Sequence, residues 1–363
     1  MINNKTIAVV VPCYNEESQI KMVINNMPEF VDRIIIVNDL SKDNTMEIVK
    51  SLIESDNFKS DIAVNKIKIT PNFYNKADQV LERENENEIK FYTPQNIYQA
   101  KNESKIVLIN HLQNCGVGAA IATGYKWCKD HNIVCTAVMA GDGQMDPNEL
   151  DSICRPVIEE NIDYVKGNRL IHRSALLVIP KIRYLGNSVL SILTKLASGY
   201  WHVSDTQTGY TAISNKALNS VRIHKIYKSY GMPNDLLVKL NIAFCTLREV
   251  EIKPVYDVGE QSKMNILKVI PKVSYLLFKS FFKRLWGKYL FRDFHPLFLL
   301  YNMAFILFGL SIPFAIKIFS KLYFNEELNP FTFLAFLFLF ITAFQAFLFA
   351  MWMDIQDNER LYK

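Results

Sequence analysis

Short runs of β-branched and other apolar residues alternate with segments of helical periodicity through the first 140 residues. Runs of this length and composition predict buried strands. Glu16 and Glu17 open one helical segment, where acidic residues suit the helix dipole, and a second helix is predicted at about 43–54. This alternation predicts an α/β fold with a mainly parallel sheet and helices on both faces. The predicted strands are 7–11 (IAVVV), 33–39 (RIIIVND), 106–110 (IVLIN) and about 134–140.

The segment 55–104 interrupts this alternation. It is rich in Asn, Lys and Glu, with the charged run ERENENEIK at 82–90. Two interpretations stay open, a solvated surface insertion and a lid or partner-binding element.

Two long apolar stretches lie near the end of the chain. Residues 297–316 are 20 consecutive uncharged residues, and residues 331–353 are 23. Each is long enough to cross a hydrocarbon core of ~30 Å as a helix. Because neither stretch has a polar face, a transmembrane hairpin is favoured over a pair of buried helices in a soluble core.

The segment just before the hairpin, 263–293, combines basic and large apolar residues and holds a single acid, Asp293. This pattern predicts one or two interfacial helices on anionic lipid. The positive-inside rule then places the preceding domain and both termini in the cytoplasm. Its eight basic residues are Lys263, Lys268, Lys272, Lys279, Lys283, Arg284, Lys288 and Arg292.

Charge and cysteine content narrow the function classes. A net charge of +5 over 363 residues does not indicate a nucleic-acid partner. The six cysteines show no paired or zinc-like spacing, which fits reduced thiols in a cytosolic compartment.

Polar clusters follow three of the predicted strands. They are Pro12-Cys13-Tyr14-Asn15-Glu16, Asn38-Asp39 and Ala140-Gly141-Asp142-Gly143-Gln144. Because the carboxyl ends of parallel strands meet at one edge of a sheet, these clusters predict a ligand site in one crevice.

The segments VPCYNEE, IVNDLSKDNT, NCGVGAAIATGY and MAGDGQMDP, in this order, resemble family 2 inverting glycosyltransferases, and the resemblance covers about residues 5–265. The most similar branch is that of polyprenyl-phosphate glycosyltransferases of the dolichyl-phosphate mannosyltransferase type. The resemblance implies a GT-A (Rossmann-like) catalytic domain at 1–262, interfacial helices at 263–293 and a transmembrane hairpin with a short tail at 294–363.

The resemblance also implies roles for individual residues. A nucleoside pocket is expected at five positions, with Glu16 near the ribose and Asp39 near the base. Asp142 is the expected metal ligand, beside Gly141 and with Gln144 as a second ligand. Arg169 and Lys263 are expected to meet the diphosphate. The five pocket positions are Pro12, Tyr14, Glu16, Val37 and Asp39.

These residue types suit the departure of a nucleoside diphosphate. Negative charge accumulates on the leaving group, and Mg²⁺ or Mn²⁺ on hard oxygen ligands, together with Arg and Lys, stabilises it. The metal motif departs from the usual Asp-x-Asp, since Ala140 occupies the first position. Metal binding is therefore expected to rest on Asp142, Gln144 and the diphosphate, with Asp146 as an additional candidate. Val117 stands where the family often has Lys or Arg.

Two further acids have two interpretations each. The segment from Asp205 to Tyr210 resembles an acceptor-side loop of the family, or is a turn before the strand YTAIS. Asp235 caps a helix, or serves as a general base as in relatives that glycosylate hydroxyl groups.

The sequence thus predicts transfer of a sugar from a UDP- or GDP-sugar to a polyprenyl phosphate at the cytoplasmic membrane face, with inversion and metal assistance. Two alternatives are an enzyme that glycosylates a hydroxyl of a lipid-linked glycan and a non-catalytic membrane scaffold that binds nucleotide-sugar. The oligomeric state stays open, a homo-oligomer included.

Overall fold

The structure is a computed structural model that describes residues 1–55, 58, 69–99, 104–256 and 266–363. Eight described strands form one sheet. The four strands predicted from apolar runs are all present, as β1, β2, β4 and β5 below. In chain order the strands are β1 (Ile7–Cys13), β2 (Arg33–Asn38), β3 (Gln95–Tyr98), β4 (Ile106–His111), β5 (Cys135–Val138), β6 (Tyr164–Asn168), β7 (Thr211–Ser214) and β8 (Leu247–Glu251).

The strands are ordered β3-β4-β2-β1-β5-β7-β6-β8 across the sheet. Strand β1 pairs in parallel with β2 and β5, β2 with β4, and β6 with β8. Strand β3 is antiparallel to β4, and β7 is antiparallel to both of its neighbours. The predicted mainly parallel sheet is confirmed. Strand β3 comes from the polar segment 55–104, so part of that segment extends the sheet as an edge strand whose residues are mostly exposed.

Helices cover both faces of the sheet. The first begins at Ile20, later than the sequence predicted, and the Glu16 carbonyl accepts from the amides of Gln19 and Ile20 in the turn before it. The helices of the described residues are α1 (Ile20–Asn25), α2 (Thr45–Glu54), α3 (Lys76–Asn87), α4 (Val117–Asp130), α5 (Leu150–Glu159), α6 (Ala175–Val178), α7 (Lys181–Ser198), α8 (Asn215–Ser220), α9 (Met232–Ile242), α10 (Ile266–Tyr289), α11 (Pro296–Tyr323) and α12 (Pro330–Glu359).

Successive side chains of β1 enter two different cores. Ala8 and Val10 pack with residues of α4, α8 and α9, whereas Ile7, Val9 and Val11 pack with residues of α1, α2 and α5. A strand that is buried on both faces appears in the sequence as a continuous apolar run, which is why β1 was predictable.

Helices α11 and α12 pack along each other as a hairpin, and both are long and apolar enough to cross a membrane. In their most apolar windows only 28% and 17% of the residues are buried. A helix from a soluble core would be mostly buried, so these exposed apolar surfaces favour a membrane hairpin.

Helix α10 is one continuous helix where one or two interfacial helices were predicted. Two of its basic residues do not face lipid, which corrects the expectation for this segment. Arg284 forms a bidentate pair with Asp354 of α12, with both nitrogen–oxygen distances 2.7 Å, and Lys288 lies 3.0 Å from Asp357. Both basic side chains are buried because they neutralise acids at the end of α12. We call the end of the hairpin at which these four residues lie its base.

The C-terminal tail returns to the sheet. The amide of Leu247 in β8 donates to the carbonyl of Leu361 at 2.7 Å, and the amide of Lys363 donates to the carbonyl of Leu247 at 2.9 Å. The Leu361 side chain is buried in the core that contains α4 and α9. The hairpin is therefore attached to the α/β domain at both of its ends.

Candidate active site

A cavity of about 770 Å³ lies at the carboxyl ends of β1 and β5. Strand β1 is a topological switch point, because β2 and β4 follow it on one side and β5 lies on the other. Open α/β sheets bind ligands at such points. The structure brings most of the predicted site residues together here. Those that line the cavity are Pro12, Tyr14, Glu16, Asp39, Gly141, Asp142, Gln144 and Arg169.

The loop after β5 approaches the end of β1 closely. A Cβ atom at Gly141 would lie 2.8 Å from Cys13 Sγ, so a larger residue would push the loop away. The amide of Gln144 donates to Asp142 Oδ1 at 3.0 Å. This turn places the side chains of both Asp142 and Gln144 on the cavity wall.

Asp142 and Gln144 offer one carboxylate and one amide oxygen, which are ligand types that Mg²⁺ and Mn²⁺ accept. Asp146 lies apart from the cavity lining and accepts a hydrogen bond from the Asn148 amide at 2.9 Å. Within the described ranges, no three His, Cys, Asp or Glu side chains cluster as a metal site. The donor set therefore fits an ion that completes its coordination with ligand phosphates and water, as Mg²⁺ commonly does.

Asp39 organises the loop that precedes α4. Its Oδ1 lies 2.8 Å from His111 Nδ1 and accepts from the Cys115 amide at 3.0 Å, and its Oδ2 accepts from the Gly116 amide at 2.7 Å. Burial alone would raise the pKa of Asp39, but these hydrogen bonds hold the pKa below its ordinary value. Asp39 is therefore an ionised carboxylate on the cavity wall.

Arg169 is oriented by a buried acid. Its Nε and Nη2 donate to Asp205 Oδ2 and Oδ1 at 2.8 and 3.1 Å. Burial opposes ionisation of Asp205, but the charge and hydrogen bonds of Arg169 hold the pKa of that carboxyl below its ordinary value. Asp205 is completely buried, whereas 22% of the Arg169 side chain is exposed toward the cavity that it lines.

The loop 204–209 forms the turn that was one interpretation of the Asp205 segment. Asp205 Oδ1 accepts from the amides of residues 207 and 208. The Glu249 carboxylate accepts from the amides of residues 204 and 205, and Lys166 Nζ donates to the Thr208 carbonyl. Burial lowers the pKa of Lys166 to about 8. This network fixes the loop so that its residues 207–209 line the cavity.

Besides the buried Asp205, three other predicted site residues are not among the described residues that line the cavity. Val37 is completely buried in a core and pairs in register with Pro12. Asp235 Oδ2 accepts from the Tyr227 amide at 2.8 Å and pairs with Lys239 Nζ, so it holds the loop before α9. Lys263 lies outside the described residues.

The same cavity has an apolar end. It is lined by Val255, by Leu190 of α7 and by Val273 of α10. Leu190 and Val273 also belong to an apolar core that includes the beginning of α11. The cavity therefore extends from the polar strand ends to the helices beside the base of the hairpin.

Three carboxamides on the cavity wall had no role assigned from sequence: Asn114, Asn187 and Gln207. Asn114 and Gln207 lie in segments that the sequence singled out, but a neighbouring residue received the role. Asn187 lies in α7, and no motif marks it.

Comparison with known proteins identifies similar chains. The profile described as glycosyl transferase family 2 matches residues 8–72. A UDP-N-acetylglucosamine–dolichyl-phosphate N-acetylglucosaminyltransferase of Methanococcus voltae is 30% identical over 280 residues, which are 76% of this chain and 95% of that protein. A dolichyl-phosphate beta-glucosyltransferase of Trichomonas vaginalis is 21% identical, over 77% of this chain and 74% of that protein.

Solved structures include one of glucosyl-3-phosphoglycerate synthase from Mycobacterium tuberculosis with Mn²⁺, UDP and glucosyl-3-phosphoglycerate. It is 16% identical, covers 77% of this chain and 80% of the synthase, and has a TM-score of 0.46. A similarity at that TM-score supports no inference about the ligands of this chain.

Proposed function

The chain belongs to glycosyl transferase family 2, and we propose that it transfers N-acetylglucosamine from UDP-N-acetylglucosamine to dolichyl phosphate or a related polyprenyl phosphate. The similarity to the Methanococcus voltae enzyme over 95% of its length supports this choice of donor and acceptor.

The observation that carries the proposal is the two-ended cavity. Its polar end has the acid, amide and arginine that suit a nucleoside diphosphate, and its apolar end lies beside the hairpin. A water-soluble donor and a lipid acceptor need such a site, because they come from different environments. The acceptor phosphate must nevertheless reach the anomeric carbon of the bound donor.

The polar end is suited to stabilise the leaving group. Asp142 and Gln144 would hold Mg²⁺ or Mn²⁺ together with the diphosphate oxygens, and such an ion supplies Lewis-acid stabilisation of the departing UDP. Arg169 adds a guanidinium that Asp205 has already oriented, so no reorganisation is needed as charge develops.

An anionic acceptor agrees with the positions of Asp205 and Asp235, neither of which lines the described cavity as a base would. A phosphate oxygen attacks the anomeric carbon opposite the leaving group, the bond from that carbon to the β-phosphate oxygen breaks, and the configuration inverts. A lipid phosphate is already ionised at neutral pH and needs no proton acceptor. Asp205 is paired with Arg169, and Asp235 is not part of the described cavity lining.

We place the hairpin across the membrane and the α/β domain on its cytoplasmic face. The segment 263–293 has eight basic residues and one acid, whereas the link between the spans has two Lys and two Glu. Although two of those basic residues are buried in ion pairs, the remaining excess still follows the positive-inside rule.

The proposal is tested with the full-length protein in lipid nanodiscs that contain polyprenyl phosphate. Labelled UDP-N-acetylglucosamine, UDP-glucose and GDP-mannose are supplied separately with Mg²⁺ or Mn²⁺. We expect transfer from UDP-N-acetylglucosamine, equimolar release of UDP, and loss of both on chelation.

Each other outcome identifies a rival. Transfer only to the hydroxyl of a lipid-linked glycan would replace the phosphate acceptor. Stabilisation by UDP-N-acetylglucosamine in a melting curve without any transfer would indicate a non-catalytic binding protein.

A further inference from the structure

Glu249 of β8 joins the two chain segments that carry Arg169 and Asp205. The Ser204 amide lies 3.0 and 2.9 Å from its two carboxylate oxygens, and the Asp205 amide donates to Oε1 at 3.0 Å. On the other side, Oε2 accepts from Asn168 Nδ2 at 2.8 Å, and Asn168 directly precedes Arg169 in the chain. The Glu249 carboxylate therefore holds the segment of the arginine and the segment of its acid against each other.

Asn168 also closes the turn on the far side of Arg169. Its Oδ1 accepts from the amides of Leu170 and Ile171 at 2.9 and 3.3 Å. The side-chain amide of Asn168 cannot turn over without losing both of these bonds, because its nitrogen only donates. Its Nδ2 therefore stays directed at Glu249, and the backbone on both sides of Arg169 is tied to that carboxylate.

The neighbouring strand holds the other end of the same loop. Lys166 of β6 is the register partner of Glu249, and Lys166 Nζ donates to the Thr208 carbonyl. Side chains of two adjacent strands thus fix the loop 204–209 at both ends. Asp205 lies within that loop, so its position relative to Arg169 depends on these bonds.

We propose that Glu249 is a positioning residue that aims the Arg169 guanidinium at the β-phosphate of the donor. The inference rests on the proposed function, in which the cavity binds a nucleoside diphosphate and new charge develops on that phosphate. A guanidinium recognises phosphate through the directed donors of a planar fork, so its orientation matters more than that of a point charge. Glu249 is not among the described residues that line the cavity, so its effect on the phosphate passes through Arg169.

The test is titration of UDP and of UMP, which lacks the β-phosphate, each with Mn²⁺, into the full-length protein in detergent. Glu249→Gln replaces one oxygen by an N–H donor, so the side chain can keep its bonds to the loop or its bond to Asn168, but not both. We expect UDP binding to weaken about three- to tenfold, the worth of one hydrogen bond, and UMP binding to stay within about twofold. A purely structural role would weaken the binding of both nucleotides alike.

A double variant shows whether the effect passes through Arg169. Arg169→Lys keeps the charge beside Asp205 but removes the fork that Glu249 orients. The Arg169→Lys/Glu249→Gln protein should therefore bind UDP about as weakly as Arg169→Lys alone. Additive losses would show that Glu249 acts on the nucleotide by another route, and would overturn the inference.

Two further variants support the comparison. Glu251→Gln is the matched control, because Glu251 lies on the same strand, is exposed and is not among the described residues that line the cavity. It should leave both affinities unchanged. Asn168→Asp keeps the test decisive if Glu249→Gln folds poorly. It retains the oxygen that closes the turn, removes the donor to Glu249, and should weaken UDP binding without weakening UMP binding.

The outcomes separate this inference from the proposed function. Equal losses for UDP and UMP, or unchanged UDP binding, in the folded Glu249→Gln and Asn168→Asp proteins would overturn it, while the transferase proposal would stand. A wild type that binds UDP no more tightly than UMP, or that binds neither, would contradict the diphosphate site of the proposed function itself.

Discussion

Two bidentate arginine–aspartate pairs lie in different regions of the described molecule. Arg169 and Asp205 pair at the cavity, and Arg284 and Asp354 pair at the base of the hairpin. Both pairs are bidentate and both acids are completely buried. The arginines differ: 22% of the Arg169 side chain is exposed, against 1% for Arg284.

The difference lies in the hydrogen-bond donors that each arginine keeps for a ligand. Arg284 also donates to the carbonyls of Leu196 and Ala197, which commits its three nitrogens to the protein. Among the described residues, the guanidinium of Arg169 hydrogen-bonds only through Nε and Nη2. The Arg284–Asp354 pair therefore joins helices, whereas the Arg169–Asp205 pair presents a cation to the cavity. Four substitutions, in the hairpin base and in and around the cavity, test what each region does.

The largest effect is expected for Arg284→Met, on stability. The variant leaves Asp354 buried without its partner, which costs about 3–5 kcal/mol in the free energy of unfolding. Unfolding in mild detergent measures the change. Arg292→Met is the matched control, because Arg292 is exposed and donates to one carbonyl. A loss below about 1 kcal/mol for Arg284→Met would show that the pair does not hold the hairpin base.

The next effect concerns catalysis at the cavity. Asp142→Asn removes the carboxylate of the metal loop and should cost about 3 kcal/mol of transition-state stabilisation, roughly a hundredfold in transfer rate. The melting temperature should stay close to that of the wild type, since Asp142 lines a cavity. Near-normal turnover in the variant, or full wild-type activity in excess chelator, contradicts the metal assignment.

A smaller effect is expected for Arg169→Lys. Lysine keeps the charge but loses the bidentate fork that Asp205 orients, so transfer should fall about tenfold, which corresponds to ~1.4 kcal/mol in the barrier. Arg284→Lys is the matched comparison. It should lower the free energy of unfolding, with a smaller effect on the transfer rate per folded molecule. Equal effects of the two substitutions on rate per folded molecule would remove the contrast between the pairs.

The smallest effect is expected for Asp235→Asn. Asp235 holds the loop before α9, and a phosphate acceptor needs no base, so transfer should remain within about tenfold of the wild type. Rates and melting curves are measured together, because loss of the Lys239 pair changes packing. A well-folded variant with a thousandfold lower turnover and unchanged donor affinity would indicate a hydroxyl acceptor and a catalytic base.

The two regions also show what the sequence makes visible. Asp142 stands in a short motif after β5, which an apolar run predicts, whereas Arg169 follows β6, which no predicted apolar run marks, so its expected role came from the resemblance. Arg284 looked like a lipid-facing basic residue because its partner lies 70 positions away, at the polar end of a mainly apolar helix. Strand β3 was missed because its residues are partly exposed and lie in a polar segment. Contacts between distant segments leave no local pattern, and these cases depend on such contacts.

The most direct test of the claim that the cavity at β1 and β5 is the donor site is a structure of the full-length protein in lipid nanodiscs with UDP and Mn²⁺. We expect one ion within about 2.0–2.3 Å of an Asp142 oxygen, with the diphosphate bridging that ion and Arg169. Nucleotide bound elsewhere, or an ion held without Asp142, would contradict the assignment.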